Sequence, residues 1–334
     1  MPKPRLLVNL PPGFFKSPAA RGALRRAAEL CELRKRSWND AGEFASDLCW
    51  ADAVIMWSWP MLTDELLDQA PRLRFVGHLD VGRKGAQILL RRGLAVSVAR
   101  RAFSPAVAEM ALTLTLNLLR KVSPYHAAMR AGKEEWVRRF PDDIDPDERE
   151  LTGRAVGIIG FGGIGRRYAE LLAPFRCAVR VFDPFLPAEV AAASGVRPVA
   201  LLDLLKGSDV VVVCAASNEG TRKLLGKREI AAFRKGAVFI NVARAALVDT
   251  AALIARLKKG DLYAAVDVFD QEPLPANAPL RKTRNAFLTP HRAGGLLASV
   301  ERIMDMLVDD LEAHLAGRER KWALTEKMLP GLDG

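Results

Sequence analysis

The chain has 334 residues, half of them hydrophobic and 27% charged, with a formal net charge of +11. That length exceeds a single hydrophobic core and fits two domains of about 100–200 residues each. No apolar run reaches the roughly 18 residues of a membrane span, and Met1–Val8 reads as a first strand rather than a signal peptide.

The basic residues come in scattered pairs such as Arg25-Arg26, Arg91-Arg92 and Arg100-Arg101. With no interleaved aromatics and no nucleic-acid-binding motif, they describe a solvated basic surface. Cys31, Cys49, Cys177 and Cys214 are widely spaced, without a CxxC or metal-ligand pattern, and read as reduced thiols. The expectations are a cytoplasmic protein with no metal, no membrane and no nucleic-acid partner.

In chain order, Leu6–Leu10, Ala53–Met56, Phe75–Gly77 and Leu94–Val98 read as short buried strands separated by helical stretches. Residues 1–101 are thus a small α/β unit. It carries 17 Lys and Arg against 10 Asp and Glu, a field that favours anionic ligands. Ser104-Pro105 opens a helix, with Ser as N-cap and Pro at the first helical position. The helix runs to Leu119 and is apolar almost all round, so it needs covering on several sides, as a subunit interface would do. Pro141–Glu150 is an acidic loop.

Residues 155–183 then read as strand, glycine loop, helix and a second strand closing on Asp183. In such a loop Gly160 makes the tight turn, Gly162 lets the backbone approach a pyrophosphate, and Gly165 lets the helix pack on the sheet. The helix N-terminus offers N–H groups and a positive dipole end to phosphates. Asp183 can accept from both adenosine ribose hydroxyls and repels a 2′-phosphate, which points to NAD(H) over NADP(H). Glycines also serve plain turns; the flanking strand, helix and acid favour the dinucleotide reading.

Strands follow at Asp209–Ala215, Ala237–Val242, Leu262–Val268 and Ala286–Thr289, rich in Val and Ile as in a parallel sheet covered on both faces. Their C-terminal ends carry the chemistry: Arg244 after one strand, Asp267 and Glu272 after the next, His291 after the last. An Arg suits a carboxylate or a developing oxyanion, and a His beside a carboxylate suits proton transfer. Singly, these residues also read as a surface charge, a Glu-Pro turn and a Pro-His loop. Three in succession point to a site. Of the other histidines, His126 and His314 read as surface residues and His78 as a loop residue.

With these motifs in place, the chain resembles the D-2-hydroxyacid dehydrogenases, the family that includes D-3-phosphoglycerate dehydrogenase, glyoxylate/hydroxypyruvate reductases and formate dehydrogenase. The resemblance is strongest from Arg130 to Gly295. It rests on Arg130–Trp136, Glu150–Gly153, the glycine loop, Asn241–Arg244 with Leu247–Asp249, Asp267–Pro275, and Thr289–His291 with Gly294-Gly295. It implies an α/β protein of two Rossmann-like domains: a doubly wound NAD-binding domain at 102–290, inserted in a smaller flavodoxin-like substrate domain of 1–101 plus 291–334.

It further implies that Arg244 binds the substrate's carboxylate and carbonyl, that His291 is the general acid/base and that Glu272 is its partner. For NAD(H) it implies contacts from Ser104, Gly160, Gly162, Gly163, Ile164, Gly165, Asp183, Ala243 and Asp267. For a small 2-oxo or 2-hydroxy acid it implies Leu79, Asp80 and Arg244, and for assembly a homodimer through the nucleotide domains. The chain departs from the family pattern at Val76–Lys84, where Asp80 stands in the carboxylate-binding loop with Arg83 and Lys84 beside it, at Ala245, and at Cys214-Ala215-Ala216. The rival reading is a non-catalytic NAD(H)-sensing binding protein, like the corepressors that share this fold; a third is an enzyme acting on a non-acid substrate.

Overall fold

The computed structural model describes residues 2–37, 41–57 and 59–332. The chain forms two compact units, residues 1–103 with 295–334, and residues 104–294.

The first unit is built on β1 (Arg5–Leu10), β2 (Glu32–Ser37), β3 (Ala53–Met56), β4 (Phe75–His78) and β5 (Ala95–Val98). All are parallel, in the order β2-β1-β3-β4-β5. The order reverses between β1 and β3, so a crevice opens there at the strand C-terminal ends. Helix Leu297–Leu315 packs Ile303, Met304, Leu307, Val308 and Leu311 against one face of this sheet. Each such side chain contributes about 1.5–3 kcal/mol by burial. The tail is tied back by buried Asp310, which accepts from the N–H groups of Lys321 and Trp322.

Three features differ from the sequence reading. β2 is absent from it because Glu-Leu-Arg-Lys-Arg-Ser has no apolar pattern; it is an edge strand whose Arg34 and Arg36 both pair with the buried Asp47 carboxylate. His78 is not in a loop but is the last residue of β4, and it is buried. His314 is likewise half-buried, its ring 5.3 Å from that of Phe75.

The second unit is built on β6 (Ala155–Ile159), β7 (Ala178–Phe182), β8 (Arg197–Pro198), β9 (Val210–Val213), β10 (Ala237–Asn241), β11 (Leu262–Val266) and β12 (Ala286–Leu288). This all-parallel sheet has the order β12-β11-β10-β9-β6-β7-β8 and reverses between β6 and β9. The four valines of β9 are fully buried, as expected of a central strand covered on both faces.

Helix Gly163–Leu172 faces the core with Gly165, Tyr168 and Leu172, at helical spacing. The buried Thr115 hydroxyl donates to the Ala111 carbonyl at 2.8 Å. Its single proton is thereby committed, so the Tyr168 hydroxyl, 2.9 Å away, is the donor of that pair. Helix Ser104–Leu119 buries eight residues, with Glu109 and Thr113 exposed. The helical run Arg100–Leu119 corrects the expectation about apolar runs: it is long and apolar enough to span a membrane by length and composition. Counting uninterrupted apolar residues stops at Glu109, whereas averaging over the helix does not. Half of that window is buried inside the protein.

Candidate active site

The glycine loop follows β6, at the reversal point. Gly160 has φ of +89°, and a Cβ on it would lie 2.4 Å from the Ala215 Cα. Only glycine makes this turn against the segment that follows β9. A Cβ on Gly165 would meet the Gly160 carbonyl oxygen at 2.3 Å, so this glycine sets how closely the helix approaches the loop. Gly162, in contrast, opens on free space.

Gly163 and Ile164 start the ten-residue helix, whose first N–H groups have no intrahelical acceptor. This open, Cβ-free cradle at a positive dipole end fits a pyrophosphate. Asp183 follows β7; its carboxylate accepts from the N–H of Phe161 at 2.7 Å and of Phe185 at 2.9 Å. The acid thus orients the glycine loop itself, and each oxygen keeps a lone pair for a ribose hydroxyl.

Farther along the same sheet edge, Arg244, Glu272 and His291 come together. Buried Asn241 ends β10, accepts from the Ala243 N–H at 3.1 Å and donates to the Arg244 carbonyl at 3.1 Å. The loop carrying Arg244 is therefore held by a buried amide. The guanidinium donates to the Ala243 carbonyl at 2.8 Å, and its side chain is otherwise exposed. Asp249 of the Leu247–Asp249 motif caps helix Thr250–Leu257 by accepting from the Ala252 N–H.

Asp267 follows β11 and is fully buried. One oxygen accepts from the Thr289 hydroxyl at 2.5 Å and the Arg292 N–H at 2.9 Å; the other accepts from the Ala293 N–H at 2.9 Å. These three bonds bracket His291, a non-glycine residue with φ of +51°. Left-handed backbone at such a residue costs on the order of 1 kcal/mol and persists where its surroundings impose it. Here Asp267 imposes it.

His291 Nδ1 lies 2.6 Å from Glu272 Oε2, and Glu272 Oε1 accepts from the Phe269 N–H at 2.9 Å. Burial pushes the Glu272 carboxyl up, but the hydrogen bonds from His291 and Phe269 and the charges of His291 and Arg244 outweigh it and hold the group below the usual carboxylate range. An ionised carboxylate can only accept, so His291 Nδ1 carries the proton and Nε2 is left for exchange. Both side chains are partly exposed, His291 at 46%. Ser104 is buried at the first position of its helix, and Ala243 is buried beneath Arg244.

In the first unit, Leu79 and Asp80 follow β4, but their backbone donors are engaged within the protein. The Leu79 N–H donates to the Met56 carbonyl at 3.0 Å and the Asp80 N–H to His78 Nδ1 at 3.1 Å. Burial holds the His78 imidazole down at about 4, so the ring is neutral at pH 7 and free to accept. Asp80 pairs with Arg100 at 3.1 Å, and Arg83 donates to the Leu329 carbonyl. The next residues, Val81 and Gly82, lead directly into helix Arg83–Arg91. Helix-start backbone of this kind suits an anion. Sequence reasoning passed over these two residues, although the glycine ahead of a helix was the available signal.

The sequence profile of the D-isomer specific 2-hydroxyacid dehydrogenase, NAD binding domain, matches residues 112–293. The chain is 34% identical over 284 residues to the (S)-sulfolactate dehydrogenase of Chromohalobacter salexigens, covering 84% of this chain and 90% of that protein. It is 28% identical over 304 residues to the D-3-phosphoglycerate dehydrogenase of Methanocaldococcus jannaschii, covering 90% of this chain but 56% of that longer protein. Among solved structures, a phosphoglycerate oxidoreductase from Rhizobium etli aligns with a TM-score of 0.81 at 29% identity, covering 97% of this chain and 99% of that one. A dinucleotide cradle and an Arg, Glu and His gathered on one parallel sheet agree with these matches, and the chain belongs to the D-isomer specific 2-hydroxyacid dehydrogenase family, with its NAD-binding domain.

Proposed function

We propose that the protein is an NAD(H)-dependent oxidoreductase that interconverts a 2-oxo acid and a D-2-hydroxy acid, with His291 as general acid/base. Bound NAD(H) supplies or accepts the hydride at the substrate's carbonyl carbon. The loop Gly160–Gly165 receives the pyrophosphate on its N–H groups, Asp183 receives the ribose hydroxyls, and Ser104 and Ala243 border the cofactor.

In the reductive direction His291 delivers the proton from Nε2 to the carbonyl oxygen, and Arg244 donates to the carboxylate and to that oxygen as charge develops on it. Glu272 holds Nδ1–H and so keeps Nε2 as the exchanging nitrogen. Asp267 acts as a positioning residue through the 289–293 loop. Residues 1–101 with 291–334 select the substrate. There Leu79 and Asp80 frame the loop, and the N–H groups of Val81 and Gly82 are the ones offered to an anion.

The reading rests above all on the 2.6 Å pair of His291 and Glu272. Val122, Tyr125, Met129, Trp136, Val137 and Phe140 are exposed along and after helix Val122–Ala131, which itself buries nothing. This apolar belt supports a homodimer through the nucleotide domains. All four thiols are free, which suits a reducing cytoplasm.

The test is a panel of 2-oxo acids with NADH, followed at the nicotinamide absorbance. Reduction of at least one acid to its D-hydroxy product is expected. Tight NADH binding with no acid reduced would overturn the reading and favour the NAD(H)-sensing binding protein.

A further inference from the structure

The two arginines that follow the glycine loop are engaged differently. Arg167 pairs with Glu170 on its own helix at 2.9 Å. Arg166 is exposed and has no carboxylate partner among the described residues. Its backbone N–H donates to the Gly162 carbonyl at 3.0 Å, so Arg166 stands one helical turn below Gly162, on the same face. That face is the open one: a Cβ on Gly162 would meet nothing within 4 Å.

A helical side chain leans toward the N-terminus of its helix and covers the preceding turn. Arg166 does so: Nε donates to the Phe161 carbonyl at 3.2 Å, and the guanidinium carbon is 5.9 Å from the centre of the Phe161 ring. Phe161 is buried, and its own N–H is held by Asp183 at 2.7 Å. The guanidinium thus rests on a loop residue that is itself anchored. Both Nη groups are left without an acceptor among the described residues.

Each phosphate of a dinucleotide bears a full negative charge, whereas backbone N–H groups at a helix end offer partial charges only. The first turn of helix Gly163–Leu172 holds no acid to compete for a cation. A guanidinium supplies the full charge, and its planar fork donates two parallel hydrogen bonds to phosphate oxygens. We propose that Arg166 is the cation of the dinucleotide site, with Nε kept on the Phe161 carbonyl and the Nη groups donating to the pyrophosphate. The inference rests on the placement of the pyrophosphate at Gly160–Gly165 and adds to it a side chain outside the glycine motif.

Dissociation constants of the full-length protein are measured by calorimetry for NADH, NADPH, ADP-ribose and adenosine. Arg166→Ala should raise those of NADH, NADPH and ADP-ribose alike by about tenfold, the size of one charge-assisted hydrogen bond, and leave that of adenosine within about twofold. Arg166→Lys should recover part of the loss and Arg166→Gln none, because Gln can still donate to the Phe161 carbonyl but carries no charge. The weakening of NADH binding by salt should be shallower in Arg166→Ala. Gly162→Ala, whose Cβ has room in the protein but stands where the pyrophosphate is placed, controls for that placement and should also weaken NADH and ADP-ribose. Unchanged affinities in Arg166→Ala with a loss in Gly162→Ala, an equal loss for adenosine, full recovery by Arg166→Gln, or a loss confined to NADPH overturns the inference while the placement stands. No loss in either variant overturns both.

Discussion

The two sheets are both open and parallel, and both place their loops at the strand C-terminal ends, yet the loops are equipped differently. In the seven-stranded sheet, polar side chains hold the loops: buried Asn241 under Arg244, buried Asp267 on both sides of His291, and half-buried Asp183 on the glycine loop. In the five-stranded sheet the buried polar groups Asn9 and His78 hold loops that present Trp59, Met61 and an ion-paired Asp80. The same device of a polar anchor beneath an exposed loop recurs in both sheets.

Apart from His291, the largest effect that would break this contrast lies at Arg244. Arg244→Ala should lower kcat/KM by about 10²–10³, as expected for a lost charge-assisted donor to a developing oxyanion. Steady-state kinetics with a loss under tenfold would remove Arg244 from the chemistry.

The anchors come next. Asp267→Ala leaves the Arg292 and Ala293 N–H groups without their acceptor and should cost about 2–5 kcal/mol in denaturant unfolding. It should also lower kcat because the His291 backbone is released. An unchanged midpoint would contradict the anchoring role.

His78 gives the corresponding test in the other unit. Its folded pKa of about 4 lies below the unfolded value near 6.5, so the unfolded state binds the proton more readily. Stability is therefore complete above pH 6.5 and falls as the pH drops toward 4, by about 3 kcal/mol in all. Chemical unfolding at pH 7 and pH 4.5 should show this loss, and His78→Gln should flatten it. A wild-type curve already flat over that range would sink the prediction.

The smallest effect concerns cofactor choice. Asp183→Ala should narrow the preference for NADH over NADPH, while also weakening both because the Phe161 N–H loses its acceptor. Equal affinities in the unmutated protein would rule out discrimination by Asp183.

What could be read from the residues follows the same division. The segment from β6 to Asp183 was legible because glycine spacing and strand periodicity are local properties. Arg244, Glu272 and His291 were legible from their places after successive strands and from the family's motifs. β2 was not, because an edge strand carrying Arg34 and Arg36 is stabilised by Asp47, a partner that only the fold supplies.

The engagement of the Leu79 and Asp80 N–H groups was hidden for the same reason: their acceptors, Met56 and a buried neutral His78, are set by tertiary structure. The anchoring of residues 289–293 by Asp267 likewise appears only once β11 and β12 are side by side.

The most direct measurement is His291→Asn assayed with the preferred acid, with NADH affinity measured on the same preparation. The general acid/base role predicts that turnover falls by on the order of 10²–10⁴ while the NADH dissociation constant stays within about threefold. Turnover within tenfold of the unmutated protein would contradict it.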